Sequence, residues 1–245
     1  MICIKVHIVL PRSVRTDEAR NEDNKPFIKD VPPHPKGAGF YPTDLTKDEF
    51  EQFLKSLSPK DKEQAEGYYT VIRRHNKTLS IVRYSTEYES LLTSAAHHFE
   101  KAASLVSDAT LKDFLVSRAA AFLSNEYIDS DVAWYNVSSE SPLEVTAGPY
   151  EVYDDELYGY KAGFEILIHV RDFNATEQLQ KFTNSLSWIE ERLPVDEKYR
   201  NTELKAPVIV VVNQIWAGGM GRNTNTRLLQ GSCADCSFRT NDVGV

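Results

Sequence analysis

Cysteine is scarce in this sequence: three residues in 245, two of them close together near the end as Cys233 and Cys236. Three thiols give no disulfide framework, and a lone Cys-x-x-Cys without a second pair or a nearby His is a weak zinc signal. Positive charge is in deficit too. Lys and Arg number 28 against 36 Asp and Glu, for a net charge of −8. Phosphate contacts need a basic face, so nucleic acid is not an expected partner. The one basic run, Arg73-Arg74-His75-Asn76-Lys77, is short and reads as a solvated turn.

Long apolar runs are missing as well. A membrane span needs about 18 consecutive apolar residues, and no stretch comes close. The start, "MICIKVHIVLPRS", is interrupted by Lys5 and His7, and no small-residue cleavage site follows. The expectation is a cytoplasmic protein without a membrane partner. The Asn-x-Ser/Thr triplets at Asn76, Asn136 and Asn174 then carry no glycan. There is no His-Glu-x-x-His and no Gly-x-Ser-x-Gly, so neither a zinc helix nor a serine nucleophile is visible. Gly219-x-Gly221-x-x-Thr224 lacks the third glycine of a dinucleotide turn, and no helical pattern follows it. His97 and His98 are adjacent, whereas zinc helices place two His four apart; they read as a surface pair.

What is present divides the chain into three. Residues 1–43 are rich in Pro, Asp, Asn and Lys and read as an extended arm that settles near Phe40 and Tyr41. Residues 44–216 read as one domain. Thr46 and Glu49 form a capping box before Phe50, Phe53 and Leu54. "TLSIVRYS" (78–85) alternates like a strand. Thr86 and Glu89 suggest a second capping box, opening a helix over 86–106 with Leu92, Ala95, Ala96, Phe99, Ala102, Ala103 and Val106 on one face. After Asp108, Leu111, Leu115, Ala119 and Phe122 form the stripe of a second helix, antiparallel to the first. "SDVAWYN" (130–136) suggests one further helical turn.

From Leu143 the period changes to two. Residues 143–153 and 163–172 read as strands, the latter with Phe164, Ile166, Ile168 and Val170 on one face. Asp154, Asp155 and Gly159 make the turn between them. Asn174 and Glu177 suggest a cap for a helix carrying Leu179, Phe182, Leu186, Ile189 and Leu193, stopped by Pro194. "APVIVVVNQIW" (206–216) is apolar on both faces, as an interior strand is. Residues 217–245 have no period of either kind and read as a disordered tail. The fold class expected is α+β: a helical N-terminal half, then a mixed sheet or small β-barrel with a crossing helix.

The unusual stretch is "TAGPYEVYDDELYGYKAGFE" (146–165), with its tyrosines and carboxylates between core-like strands. Spacing alone allows an edge hairpin whose Tyr rings reach water. The residues also carry a resemblance. "GAGFYPTDLTKDEFEQFL" (37–54), "SRAAAFLSNEYIDSDVAWYN" (117–136) and, most specifically, Gly148-x-x-Glu151-x-Tyr153 with Gly159 and Phe164-Glu165 resemble the dipeptidyl peptidase III family of zinc exopeptidases. The likeness is to its shorter, bacterial-like members, one branch of which is fused to a Nudix hydrolase in plants; no Nudix box occurs here.

That resemblance implies removal of dipeptides from peptide N-termini by a zinc-activated water, in two lobes around a cleft. It makes Glu151 a substrate-binding residue for the peptide's terminal ammonium and Tyr153 a catalytic donor to the carbonyl oxygen. Asp154, Asp155 and Glu156 are read as turn and solvent-face residues, and Glu165 as structural. The family's zinc ligands, on a His-Glu-x-x-Gly-His helix and a second Glu-bearing helix, lie downstream of the matched region. The chain is therefore expected to hold no zinc or other cofactor, to take peptides as partners, and to be inactive alone as a truncated member. The alternative is a non-catalytic peptide-binding or interaction protein that retains half of the cleft.

Overall fold

The computed structural model describes residues 35–201, 208–218 and 229–232. Residues 1–34 of the arm expected over 1–43, the Gly219–Thr224 stretch and the Cys233–Cys236 pair lie outside those residues. The described chain is α+β, with eight α-helices and two small sheets. It divides into two compact units. The first holds the described residues up to Val137 together with Thr146–Ile166; the second holds Ser138–Val145 and Leu167–Trp216.

The first unit begins where the arm was expected to settle. Phe40 and Tyr41 are buried in one cluster with Phe50, Leu54, Val71, Ile72 and Tyr84. Phe50 and Leu54 come from α1 (Lys47–Ser56), whose N-cap Thr46 accepts the Glu49 amide as the capping pattern requires. A helix that periodicity did not reveal follows: α2 (Pro59–Glu66). Its signals are local, with Ser58 as N-cap and Pro59 in the first turn.

The basic run is not a solvated turn throughout. Arg73 and Arg74 lie in β1 (Thr70–His75), antiparallel to β2 (Thr78–Arg83). Only Asn76 and Lys77 form the turn, both with left-handed φ, as a two-residue hairpin of this twist demands. Arg74 forks onto the Glu49 carboxylate, with Nη2 to Oε2 at 2.8 Å, and Arg73 Nε donates to Glu87 at 2.7 Å.

The second expected capping box does not form. Thr86 falls inside a short helix, α3 (Tyr84–Glu87), and α4 (Glu89–Ala103) starts after Tyr88 without a side-chain cap. Tyr84 is fully buried, and its hydroxyl donates to the Ala162 carbonyl at 2.8 Å. That tether sets the chain's path before the cap could. The helix pair itself is as read. α5 (Ala109–Ser124) is capped by Asp108, and Phe99 of α4 meets Phe122 of α5 edge-on at 5.4 Å. α5 ends at Asn125, left-handed at φ 68°, whose side chain bridges the Ser85 amide and the Tyr69 carbonyl. The turn expected at 130–136 is a fuller helix, α6 (Ile128–Tyr135).

β3 (Leu143–Glu151) and β4 (Gly163–Arg171) follow, and with β5 (Val208–Gly218) and β6 (Leu229–Ser232) they form an open sheet of order β3-β4-β5-β6. The described strands do not close into a barrel. β5 is interior, as read, and Val210, Val211 and Val212 are buried. Leu229–Ser232, inside the expected tail, forms β6 against Val208–Val211.

The expected helix from Asn174 is two: α7 (Phe173–Thr183) and α8 (Leu186–Glu190). The cap is Asp172, whose carboxylate accepts the Ala175 amide at 2.9 Å, so Asn174 lies two residues inside the helix and does not cap it. In β4 the expected face holds only in part. Ile166 and Ile168 are buried, Val170 is exposed, and His169 and Arg171 are buried on the alternate positions.

Candidate functional site

The expected site residues all belong to the first unit, around the end of β3 and the turn that follows. Glu151 is the last residue of β3 and is half-buried. Tyr153 is not on the strand. It sits in the turn, two residues past the strand end, with its side chain 70% exposed. The two-residue alternation of a strand therefore does not extend to Tyr153.

The turn is organised by a residue that its composition had suggested was solvent-facing. Asp155 is buried, at 3% exposure. Its Oδ2 accepts the Tyr41 hydroxyl at 2.8 Å and the amides of Tyr160 and Lys161 at 2.9 and 3.2 Å. Its Oδ1 accepts the amides of Leu157 and Tyr158 at 3.1 and 3.2 Å. Five donors on one carboxylate replace the water it gave up. Gly159, at φ 67°, closes the loop with its amide on the Asp155 carbonyl at 2.9 Å. Burial and the Asp155 carboxylate together push the Tyr41 phenol well above its ordinary range.

Most of the stretch's tyrosines are thereby directed inward. Tyr158 meets Phe50 at 4.9 Å and stacks on Tyr160 at 5.3 Å. Lys161 is fully buried, and its ammonium donates to the Ala65 and Gly67 carbonyls at 2.6 and 2.8 Å and to the Thr70 hydroxyl at 2.9 Å. Burial pushes Lys161 down to about 7, against the pull of Asp155 and Glu66. These contacts fasten the turn to the end of α2. The turn is a built scaffold, and Tyr153 projects from its first residues.

On β3, Tyr150 turns toward the helices. Its hydroxyl accepts from Arg118 Nη2 at 2.7 Å, and the same Nη2 pairs with Asp131. Burial raises the Tyr150 phenol well above its usual value, and Arg118 opposes that rise. Glu165 of β4 was read as structural. Its carboxyl is raised above the ordinary range, first by burial and then by the charge of Glu151. The charge of Glu151, at the end of β3, thus reaches the Glu165 carboxyl on β4. Sequence reasoning missed Arg118 as a participant. It stands in an apolar stripe, where an arginine is easily taken for the helix's solvent face.

His97 is exposed and His98 half-buried on α4, with ring centroids 6.0 Å apart, as a surface pair should be. Among the described residues no three His, Cys, Asp or Glu side chains gather as a metal site would require.

The model of peptidase family M49 matches residues 36–217. The chain belongs to peptidase family M49. It is 42% identical to the dipeptidyl-peptidase III of Corallococcus sp. strain EGB, with a TM-score of 0.62, covering 79% of this chain and 36% of that one. Against DPP III from Caldithrix abyssi the identity is 39% and the TM-score 0.69, covering 86% and 40%. A protein of Arabidopsis thaliana named Nudix hydrolase 3 is 39% identical over 76% of this chain, which spans 26% of that protein. The chain therefore spans less than half of each of these relatives. No helix among the described residues is long and apolar enough to cross a membrane.

Proposed function

We propose that this chain forms the part of a dipeptidyl peptidase cleft that receives the N-terminus of a peptide, and that by itself it binds peptides without cleaving them. Membership of the M49 family, with Gly148-x-x-Glu151-x-Tyr153 placed at the exit of β3, is what supports the reading. Glu151 takes the terminal ammonium in a charge-assisted bond, and the neighbouring Glu165 adds to the negative field there. Tyr153, two residues on and solvent-facing, is the donor that a complete cleft would use for the carbonyl oxygen as negative charge develops on it. The described residues do not fit a zinc site, so no step here runs through the metal.

Calorimetry with pentaalanine and its N-acetylated form tests the reading on the full chain. The free amine should bind more tightly, and Glu151→Gln should cost about 1.5–3 kcal/mol of that preference, the range for a hydrogen bond to a charged group. Tyr153→Phe should leave binding unchanged, because its role arises only as the bond is cut. Chelator-sensitive release of dialanine by the purified chain, with one tightly held zinc, would overturn the non-cleaving half of the proposal.

A further inference from the structure

Arg118 is a costly residue for the fold. Its side chain is completely buried, yet among the described residues Nε and Nη1 have no hydrogen-bond partner, and Nη2 makes its hydrogen bonds. A half-satisfied buried cation is worse for stability than an apolar side chain of similar volume. What surrounds it shows where that cost is spent. The guanidinium lies 5.3–5.5 Å from the ring centroids of Phe114, Tyr127 and Tyr150. It touches β3 at two alternate positions. One is Tyr150, through the phenol at 2.7 Å. The other is Gly148, where a Cβ would stand 2.7 Å from Nη1 and where φ is +155°. Only glycine admits that approach. Asp131 of α6 holds the same Nη2 and fixes the guanidinium from the helix side.

We propose that Arg118 is a positioning residue for Glu151, acting through Tyr150 and Gly148, so that the end of β3 presents its carboxylate at a fixed place. Residues 148 and 150 share a strand face and Glu151 takes the next step of the alternation. Gripping the strand at those two positions leaves its last residue little freedom. A carboxylate held in place needs no reordering when a cation arrives, which is where preorganised sites gain affinity. This inference rests on the ammonium-binding role proposed for Glu151.

Tyr150→Phe is the informative variant, because it keeps the ring on the guanidinium and removes only the oxygen that Nη2 grips. Tyr158→Phe serves as the control; its hydroxyl donates to the Lys47 carbonyl at 3.3 Å on an exposed surface. The side-chain carboxyl carbon of Glu165 is followed by NMR as pH is varied, in the folded full chain. Tyr150→Phe should shift the Glu165 titration, which senses the Glu151 charge, by about half a pH unit or more, and Tyr158→Phe should not. The preference for free-amine over N-acetylated pentaalanine should also fall roughly tenfold in Tyr150→Phe. Unchanged titration in Tyr150→Phe overturns the positioning role whatever the peptide data show. A wild-type chain without any free-amine preference instead overturns the ammonium reading of Glu151, and the titrations still decide the grip on the strand.

Discussion

Two helical pairs show how differently the same sequence signal can end. α4 and α5 in the first unit, and α7 and α8 in the second, all carry apolar residues spaced by three and four. In α4 and α5 the stripe is sealed: Leu92, Phe99, Leu111, Leu115 and Phe122 are buried. In α7 and α8, Phe182 is 57% and Trp188 59% exposed, and Leu179, Leu186 and Ile189 are only half-buried. Periodicity reports that a helix has an apolar face. Whether that face is covered depends on a partner, and the first unit supplies its own. Arg192, whose guanidinium lies 4.2 Å from the Trp188 ring centroid, is a local substitute for such a partner in the second.

The contrast breaks most visibly at Phe99. Its ring is buried edge-on against Phe122, so Phe99→Ala should destabilise the chain by about 3–5 kcal/mol, the loss usual for a buried Phe. Denaturant unfolding followed by far-UV circular dichroism measures this. A loss below about 1 kcal/mol would place the ring at a surface and end the distinction between the two pairs.

A smaller effect is expected at Asp155. Asp155→Asn keeps the shape but turns one acceptor atom into a donor facing amides and a phenol that also donate. Leaving such donors unmatched costs about 1–3 kcal/mol. The loss should be local first, so hydrogen exchange at the amides of Leu157, Tyr158, Tyr160 and Lys161 should accelerate before the helices open. Equal protection in the variant would mean that the turn is held by its aromatic packing alone.

Asp155 also marks where the sequence stops being legible. The helices α1, α4 and α5 are readable because each buries residues at its own period, and β2, β3, β4 and the interior β5 because their apolar runs lie between turn residues. The capping boxes at Thr86 and Asn174 mislead, because the fixing contacts come from elsewhere: the buried Tyr84 in one case and Asp172 in the other. β1 is hidden because Arg73 and Arg74 find carboxylates on α1 and α3, which no local pattern announces. An aspartate in a tyrosine-rich turn looks solvated until Tyr41, 114 residues earlier in the chain, donates its hydroxyl. In the candidate site the positions of Glu151 and Tyr153 follow from the resemblance. Arg118 does not, since a charge inside an apolar stripe acquires meaning only when Gly148 and Tyr150 are seen against it.

The smallest effect sharpens the comparison from its other side. Phe182 is more than half exposed, so truncating it removes little buried area. At about 25 cal/mol per Å² of apolar surface, the surface still hidden by the second unit sets the loss. Phe182→Ala should therefore change unfolding stability by less than about 1 kcal/mol, as most surface substitutions do. The same substitution that is costly in α4 should be nearly silent in α7, although both phenylalanines occupy the apolar stripe of their helix. Thermal and denaturant unfolding of the two variants, made in one background, provide the measurement. A Phe182→Ala loss approaching that of Phe99→Ala would mean that the α7 stripe is covered in solution, and the distinction between the two pairs would fall with it.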